Sequence, residues 1–296
     1  MAYAIGIDIG GTQVKAVRVA PSGQVFERSH LDAGDAQNAW QPAIRQWVQR
    51  CQEQHGPCER IGVSCPGIAR PDGSGIAWMV GRMEGVMNFD FQKHLGRSDM
   101  VPVLNDALAA LLGEVWQGAA RGASDVVLLT LGTGVGGAVY SGGRLLKGHS
   151  GRAGHLGHIT VDAAGPADIC NTPGSIEYHI GNYSLAQRSG GRFTSTQALV
   201  QAYLAGDATA RELWLGSIHR LAAAIVSIIN AVDPQRIILG GGIALSGQAL
   251  FGPLQEAMDR MEWRPTGDHV KVLPAALGQW AGAIGAAWNG LRGGQA

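Results

Sequence analysis

The sequence has few cysteines. Cys51, Cys58, Cys65 and Cys170 include no CxxC pair and lack the spacing of a disulfide framework. They read as reduced thiols, and a cytoplasmic protein is expected. There is no charge of one sign to follow either. Lysine and arginine total 23, as do aspartate and glutamate, so nothing in the balance points to nucleic acid or an anionic membrane. No stretch reaches the roughly 18 apolar residues of a membrane span. The opening MAYAIGIDIGG lacks the basic region and long apolar run of a signal peptide. The GxxxxGK[ST] loop is missing and no GxGxxG opens a helix, so neither a P-loop nor a dinucleotide fold is indicated.

Glycine is abundant, with 45 among 296 residues and no collagen period or low-complexity block. Many backbone positions must need positive φ or close approach to something. The apolar pattern predicts strands at residues 3–9, 15–20 and 24–31, joined by tight turns as an antiparallel start. A helix over 35–54 follows, capped by Asp35 or Asn38, with its regular part beginning at Pro42. Next come a strand at 60–67, a strand at 101–104 and a helix at 107–119. A second strand set opens at 125–140, with a return strand near Ile159–Asp162. Helices at 174–181, 195–205 and 207–231 precede a strand at 236–242, a helix at 246–260, a strand at 269–273 and a helix at 277–292. Strands followed by helices, twice, predict two α/β halves.

Three glycine turns follow apolar strands: IDIGGTQVK, LTLGTGVGG and IILGGGIAL. A turn without Cβ atoms lets backbone N–H groups approach an anion. The simpler reading is that two of them are hairpins. The first also carries Asp8, and an acid at a strand end can hold Mg²⁺ through hard oxygen ligands. Asn105-Asp106 sits where a strand meets a helix. Asp106 reads equally as a helix N-cap or as the base that takes a proton from a substrate hydroxyl. In GRAGHLGHITVD, His155 and His158 read as metal ligands, substrate contacts or packing. Trp40, Trp47, Trp116 and Trp214 lie on helical stretches and read as packing.

Taken in order, DIGGTQVK, VSCPG, LNDALAALLGE, LTLGTGVGGAVYSGGRLLKG, AGHLGH, NAVDPQRIILGGG and AGAIGAAW resemble the ROK family of sugar kinases, in the actin/hexokinase-like superfamily. The resemblance implies an α/β, two-lobed actin/hexokinase-like (ribonuclease H-like) fold with a cleft between lobes. Residues 1–115 would form the N-terminal lobe, with the final helix at 280–296 packing back on it, and 116–279 the C-terminal lobe. It implies ATP and Mg²⁺ as cofactors and a hexose or hexose derivative as substrate. Asp8, Gly10, Gly11, Thr12 and Lys15 would line the phosphate and magnesium site, with Asp8 on the metal. Gly132, Thr133 and Gly134 would contact phosphate, and Gly240, Gly241 and Gly242 the nucleoside. Asp106 would be the base. Gly67, Asn88, Asn105, His158 and Glu177 would fall on the sugar.

The sequence departs from the family twice. The usual AGExGH places a glutamate where His155 stands, so altered sugar preference is expected. The usual CxCGxxGCxE, which with a histidine holds a structural zinc, is here DICNTPGSIE. Asp168 and Ser175 replace two cysteines, so structural zinc is not expected. The resemblance also implies a homodimer. Regulators in the family carry an N-terminal helix-turn-helix. This chain starts at the first strand, so a regulator is not expected; with the balanced charge, neither nucleic acid nor a membrane is an expected partner. A sugar-binding protein without catalysis, and a kinase using polyphosphate, remain as alternatives.

Overall fold

The computed structural model describes residues 1–11, 13–32, 38–79 and 83–295. The chain divides into two compact units. The first comprises Met1–Gly122, Arg144–Gly154 and Ala276–Ala296, and the second Ala123–Gly143 and His155–Ala275. The segment Arg144–Gly154 thus groups with the first unit, although it lies inside the stretch 116–279 assigned above to the second lobe.

In the first unit, β1 (Ala4–Ile9), β2 (Val14–Val19) and β3 (Val25–Leu31) form an antiparallel meander. Two further strands, β4 (Arg60–Cys65) and β7 (Val103–Asn105), run parallel to β1 in the order β3-β2-β1-β4-β7. A small hairpin of β5 (Ile68–Ala69) and β6 (Ile76–Trp78) lies between β4 and β7 in the chain. Helices α1 (Trp40–His55), α2 (Phe91–His94) and α3 (Asp106–Gln117), the short strand β10 (Arg144–Leu145) and the last helix α9 (Ala281–Leu291) complete the unit. The cap of α1 differs from expectation. The helix starts after Ala39 without a side-chain cap, and Asn38 is left-handed at φ 65°. Asp35 lies outside the described residues.

The sheet is buried on both faces, which explains the nearly unbroken apolar run of β1. Ile5, Ile7 and Ile9 pack with Trp40, Ile44 and Trp47 of α1. On the opposite face α9 approaches at backbone distance. A Cβ on Gly6 would stand 1.9 Å from the Ala283 carbonyl oxygen, and one on Gly62 would stand 1.9 Å from that of Ala286. Buried Glu114 anchors the start of this segment, its carboxylate accepting from the Ala276, Leu277 and Ala119 N–H groups at 2.7–3.1 Å.

In the second unit, β8 (Val126–Leu131) and β9 (Val135–Ser141) form a hairpin. β11 (Arg236–Gly240) runs parallel to β8, and β12 (Lys271–Pro274) parallel to β11. The helices are α4 (Ile176–Ile180), α5 (Leu185–Arg188), α6 (Thr196–Leu204), α7 (Ala208–Val232) and α8 (Gln248–Asp259). The expected return strand near Ile159–Asp162 is not formed. Only an isolated bridge pairs Thr160 with Ser175, and the Val161 and Asp162 N–H groups both donate to the Gly174 carbonyl. Asp207 caps α7, accepting from the Ala210 N–H at 2.8 Å. By length and composition alone α7 would cross a bilayer, with a window of mean hydropathy 1.6, a match that counting unbroken apolar runs did not reveal. Half of that window is buried within the unit. Trp214, Ile218, Leu221 and Ile225, at helical spacing, enter the core.

Candidate active site

Three parallel strands of the first sheet end side by side. Register sets Asp8 of β1 against Ser64 of β4, and Cys65 of β4 against Asn105 of β7. One edge therefore receives Asp8 with Gly10-Gly11, Ser64 with Gly67, and Asn105 with Asp106. Open α/β sheets bind ligands beyond such carboxyl ends.

The Asp8 side chain is 14% exposed. Its Oδ1 accepts from Ser64 Oγ at 2.8 Å, and Lys15 Nζ lies 3.8 Å from Oδ2. Glycine at the start of α9 makes room for it, because a Cβ on Gly282 would stand 2.8 Å from Asp8 Cγ. Burial pushes the Asp8 pKa up to about 6. Lys15 and Ser64 pull it down, and the charge of Asp106 pushes it up. The two aspartates are thus close enough to feel each other's charge.

The raised pKa has a stability consequence. Between the ordinary carboxylate value and about 6, the folded state binds more protons than the unfolded state. Stability without divalent cations therefore falls as pH rises through that window. By pH 7 the ionised Asp8 costs about 1–3 kcal/mol. Asp8→Asn should flatten this slope in urea titrations and raise stability at neutral pH. A slope unchanged by the substitution would remove Asp8 as its source.

Asn105, rather than Asp106, caps α3. Its Oδ1 accepts from the Ala107 and Leu108 N–H groups at 2.9 and 3.4 Å. Its Nδ2 donates to the Gly67 carbonyl at 2.9 Å, tying the turn after β4 to the start of α3. Asp106 is the first helical residue and is exposed, with Oδ1 accepting from the Ala107 N–H at 2.8 Å. The capping explanation for an aspartate at 106 is therefore already taken by its neighbour. Gly67 sits at φ 104°, where a Cβ would meet the Trp78 carbonyl oxygen at 2.6 Å. Asn88 is exposed at φ 55° and accepts from Arg70. The Gly10 N–H donates to the Gln13 carbonyl at 3.0 Å, and space is open around Gly11. Thr12 lies outside the described residues. Ser64 was not singled out from the sequence, because its partnership with Asp8 depends on β1 and β4 being neighbours.

In the second unit, Gly132–Gly134 turns β8 into β9, closed by the Gly132 N–H on the Gly134 carbonyl at 2.9 Å. Gly240–Gly242 leads out of β11, and a Cβ on Gly241 would stand 2.2 Å from the Leu131 carbonyl oxygen. Thr130 is paired with Gly240, so both glycine turns lie at one edge of this sheet. Two of the three glycine turns in the chain are hairpins, and the third is not.

Glu177 reaches into the hairpin turn from α4. Its Oε2 accepts from the Val135 N–H at 2.8 Å, and a Cβ on Gly134 would stand 2.5 Å from that oxygen. Its Oε1 is buried and has no hydrogen-bond partner among the described residues. Burial raises the Glu177 pKa, with the Val135 N–H and His158 opposing and Asp168 adding to the rise. An orphaned buried oxygen costs about 1–3 kcal/mol unless a ligand donor meets it. His155 is half-buried ahead of the short 3₁₀ turn Leu156–His158, and His158 Nδ1 lies 2.8 Å from Asp168 Oδ2.

The donor atoms of His158, Asp168 and Cys170 gather within 4.8 Å of one another. They do not suit a structural zinc, which takes four nitrogen or sulfur ligands in a tetrahedron. His158 Nδ1 is engaged with Asp168, and the fourth family position is the hydroxyl of Ser175.

The ROK family model matches residues 4–290. The chain belongs to the ROK family. The N-acetylmannosamine kinase of Escherichia coli O157:H7 is 33% identical over 289 residues, 96% of each chain. Among solved structures, the ROK hexokinase from Thermus thermophilus superposes with TM-score 0.86 at 30% identity, covering 98% of both chains. A ROK family glucokinase from Streptomyces griseus, in complex with glucose and AMPPNP, superposes with TM-score 0.80 at 27% identity, covering 98% of this chain and 100% of that one. This ROK chain therefore has the actin/hexokinase-like α/β fold of those kinases.

Proposed function

We propose that this ROK protein is a sugar kinase that transfers the γ-phosphoryl group of ATP to a hydroxyl of a hexose or hexose derivative. The observation that carries the reading is the pairing of Asp8 and Asp106 at one sheet edge of the first unit. One carboxylate is buried and tied to Ser64, and the other is exposed at the first position of α3, whose cap is Asn105. Phosphoryl transfer asks a protein for positioning, charge neutralisation and one base.

Asp106 accepts the proton of the sugar hydroxyl. The hydroxyl oxygen bonds to Pγ as the bond from Pγ to the β–γ bridging oxygen breaks, and ADP leaves with that electron pair. Asp8 offers carboxylate oxygens to Mg²⁺, directly or through water, and the ion when bound neutralises phosphate charge. Gly10, Gly11, Thr12 and Lys15, with Gly132, Thr133 and Gly134, bind phosphate. Gly240, Gly241 and Gly242 lie against the nucleoside. Gly67, Asn88, Asn105, His155, His158 and Glu177 bind sugar. The unpartnered Oε1 of Glu177 supports its place in that set, since a sugar hydroxyl would satisfy it.

His155 stands where the family has glutamate. A carboxylate accepts at both oxygens, whereas a neutral imidazole has one acceptor and one donor. The reading is a substituted, differently configured or non-glucose sugar. His155→Glu should move the ratio of kcat/KM towards glucose by about tenfold or more, the scale of one mismatched buried hydrogen bond. An unchanged substrate profile would return His155 to packing. The deciding experiment is an ADP-release screen over hexoses, amino sugars, polyols and glycosides, with polyphosphate as donor in parallel. Turnover with no sugar and either donor would sink the kinase. A preference for plain glucose over every alternative would sink the role of His155.

A further inference from the structure

The loop that aligns with the family's zinc motif is built here around a carboxylate. The Asp168 side chain has no exposed surface. Its Oδ2 faces His158 Nδ1 at 2.8 Å, and its Oδ1 accepts from the Cys170 and Thr172 N–H groups at 2.8 and 2.9 Å. The hydroxyl of Ser175 caps α4, accepting from the Tyr178 N–H at 3.2 Å. Backbone bonds close the loop. The Asp168 N–H donates to the Thr172 carbonyl at 2.9 Å and the Asn171 N–H to the Asp168 carbonyl at 3.0 Å. One buried group thus gathers a ring nitrogen and two backbone donors from residues 158 to 172.

Burial alone would raise the Asp168 pKa. The bonds from His158, Thr172 and Cys170 outweigh it and hold the group below the usual carboxylate range. An ionised carboxylate only accepts, so His158 Nδ1 is the donor. In the neutral ring the lone pair then sits on Nε2, and the ring orientation is fixed as an outer-shell carboxylate fixes a metal-bound histidine. Cys170 is exposed, and its thiol is not required by this arrangement.

We infer that Asp168 replaces the family's structural zinc in this chain, and that it is the positioning residue that presents His158 Nε2 to the sugar. The second half rests on the proposed role of His158 as a sugar contact. The first half rests only on the loop.

The test combines elemental analysis, chelation and sugar kinetics. Purified wild-type protein should carry well under one zinc per chain, and 1,10-phenanthroline with Mg²⁺ in excess should leave its activity intact. Asp168→Asn keeps the volume but loses the second acceptor oxygen and the charge. It should raise the sugar KM by about tenfold or more, the usual scale for an outer-shell partner, with kcat changed much less. The double substitution Asp168→Cys, Ser175→Cys sets three thiols beside His158. It should take up about one zinc per chain, the Cys₃His set of structural sites, and bring KM back near wild type, now in a chelator-sensitive form. Wild-type protein that holds about one zinc and loses activity to the chelator would overturn the inference. So would Asp168→Asn with an unchanged KM, or a zinc-loaded double variant that keeps the raised KM. If the chain phosphorylated no sugar, zinc content and the thermal midpoints of the same variants would still judge the loop.

Discussion

Asp106→Asn should lower kcat by about 10²–10⁴-fold, the usual contribution of a positioned general base, while sugar affinity measured by calorimetry stays close to wild type. The expectation is sharp because the structure separates catalysis from folding at this position. Asn105 supplies the cap of α3, so the helix keeps its start when Asp106 is changed. What the fold loses is a negative charge in the first turn, worth about 0.3–1 kcal/mol. The replaced amide still has a carbonyl oxygen to accept from the Ala107 N–H. Loss of turnover together with loss of the fold would point to a structural role. Retained kcat would retire Asp106 as the base. The coupled carboxylate adds a control, since Asp8→Asn should also stop turnover but should stabilise the cation-free protein at neutral pH.

Gly285→Ala should destabilise the first unit by about 3 kcal/mol, at the upper end of overpacking effects. Helix propensity argues the other way, because alanine is better than glycine inside a helix by about 1 kcal/mol. Packing decides the sign. A Cβ at 285 would stand 1.8 Å from the Ala109 carbonyl oxygen and 2.7 Å from the Gly113 amide nitrogen, both backbone atoms of α3. Neither can yield without moving the helix that carries Asp106. Gly252 in α8 is the control, since the nearest atom to its Cβ would be the side-chain tip of Gln248, one turn back on the same helix, at 3.8 Å. There the same substitution should be neutral or stabilising by up to about 1 kcal/mol. Denaturant midpoints of the two variants, side by side, check the claim. A Gly285→Ala protein as stable as wild type would contradict the close approach of α3 and α9.

Local patterns carried much of the fold. The meander of β1 to β3, the strand before Asn105, and helices α3, α6, α7 and α8 lie within a few residues of where apolar periodicity puts them. The cap of α1 and the segment 159–162 do not. In the segment 159–162 the outcome rests on non-local bonds, the two N–H groups that converge on the Gly174 carbonyl. Whether Asp106 is the cap of α3 or the base was open from the sequence, and the structure gives the cap to Asn105. Either side chain can reach the first-turn amides, and the bond from Asn105 to the Gly67 carbonyl comes from a distant turn.

By itself, the sequence determined the glycine turns after buried strands, the acids at strand ends, the family motifs, and the two places where this chain departs from them. Those are local facts of residue type and spacing. Only the tertiary structure decided that Asp8 and Asp106 share an edge, because β1 and β7 are neighbours of β4 rather than of each other in the chain. It also decided that Glu177 keeps an unpartnered oxygen and that Asp168 gathers its loop. Burial and partnership belong to positions brought together by folding, and a side chain's charge, proton and hydrogen bonds depend on what surrounds it in space.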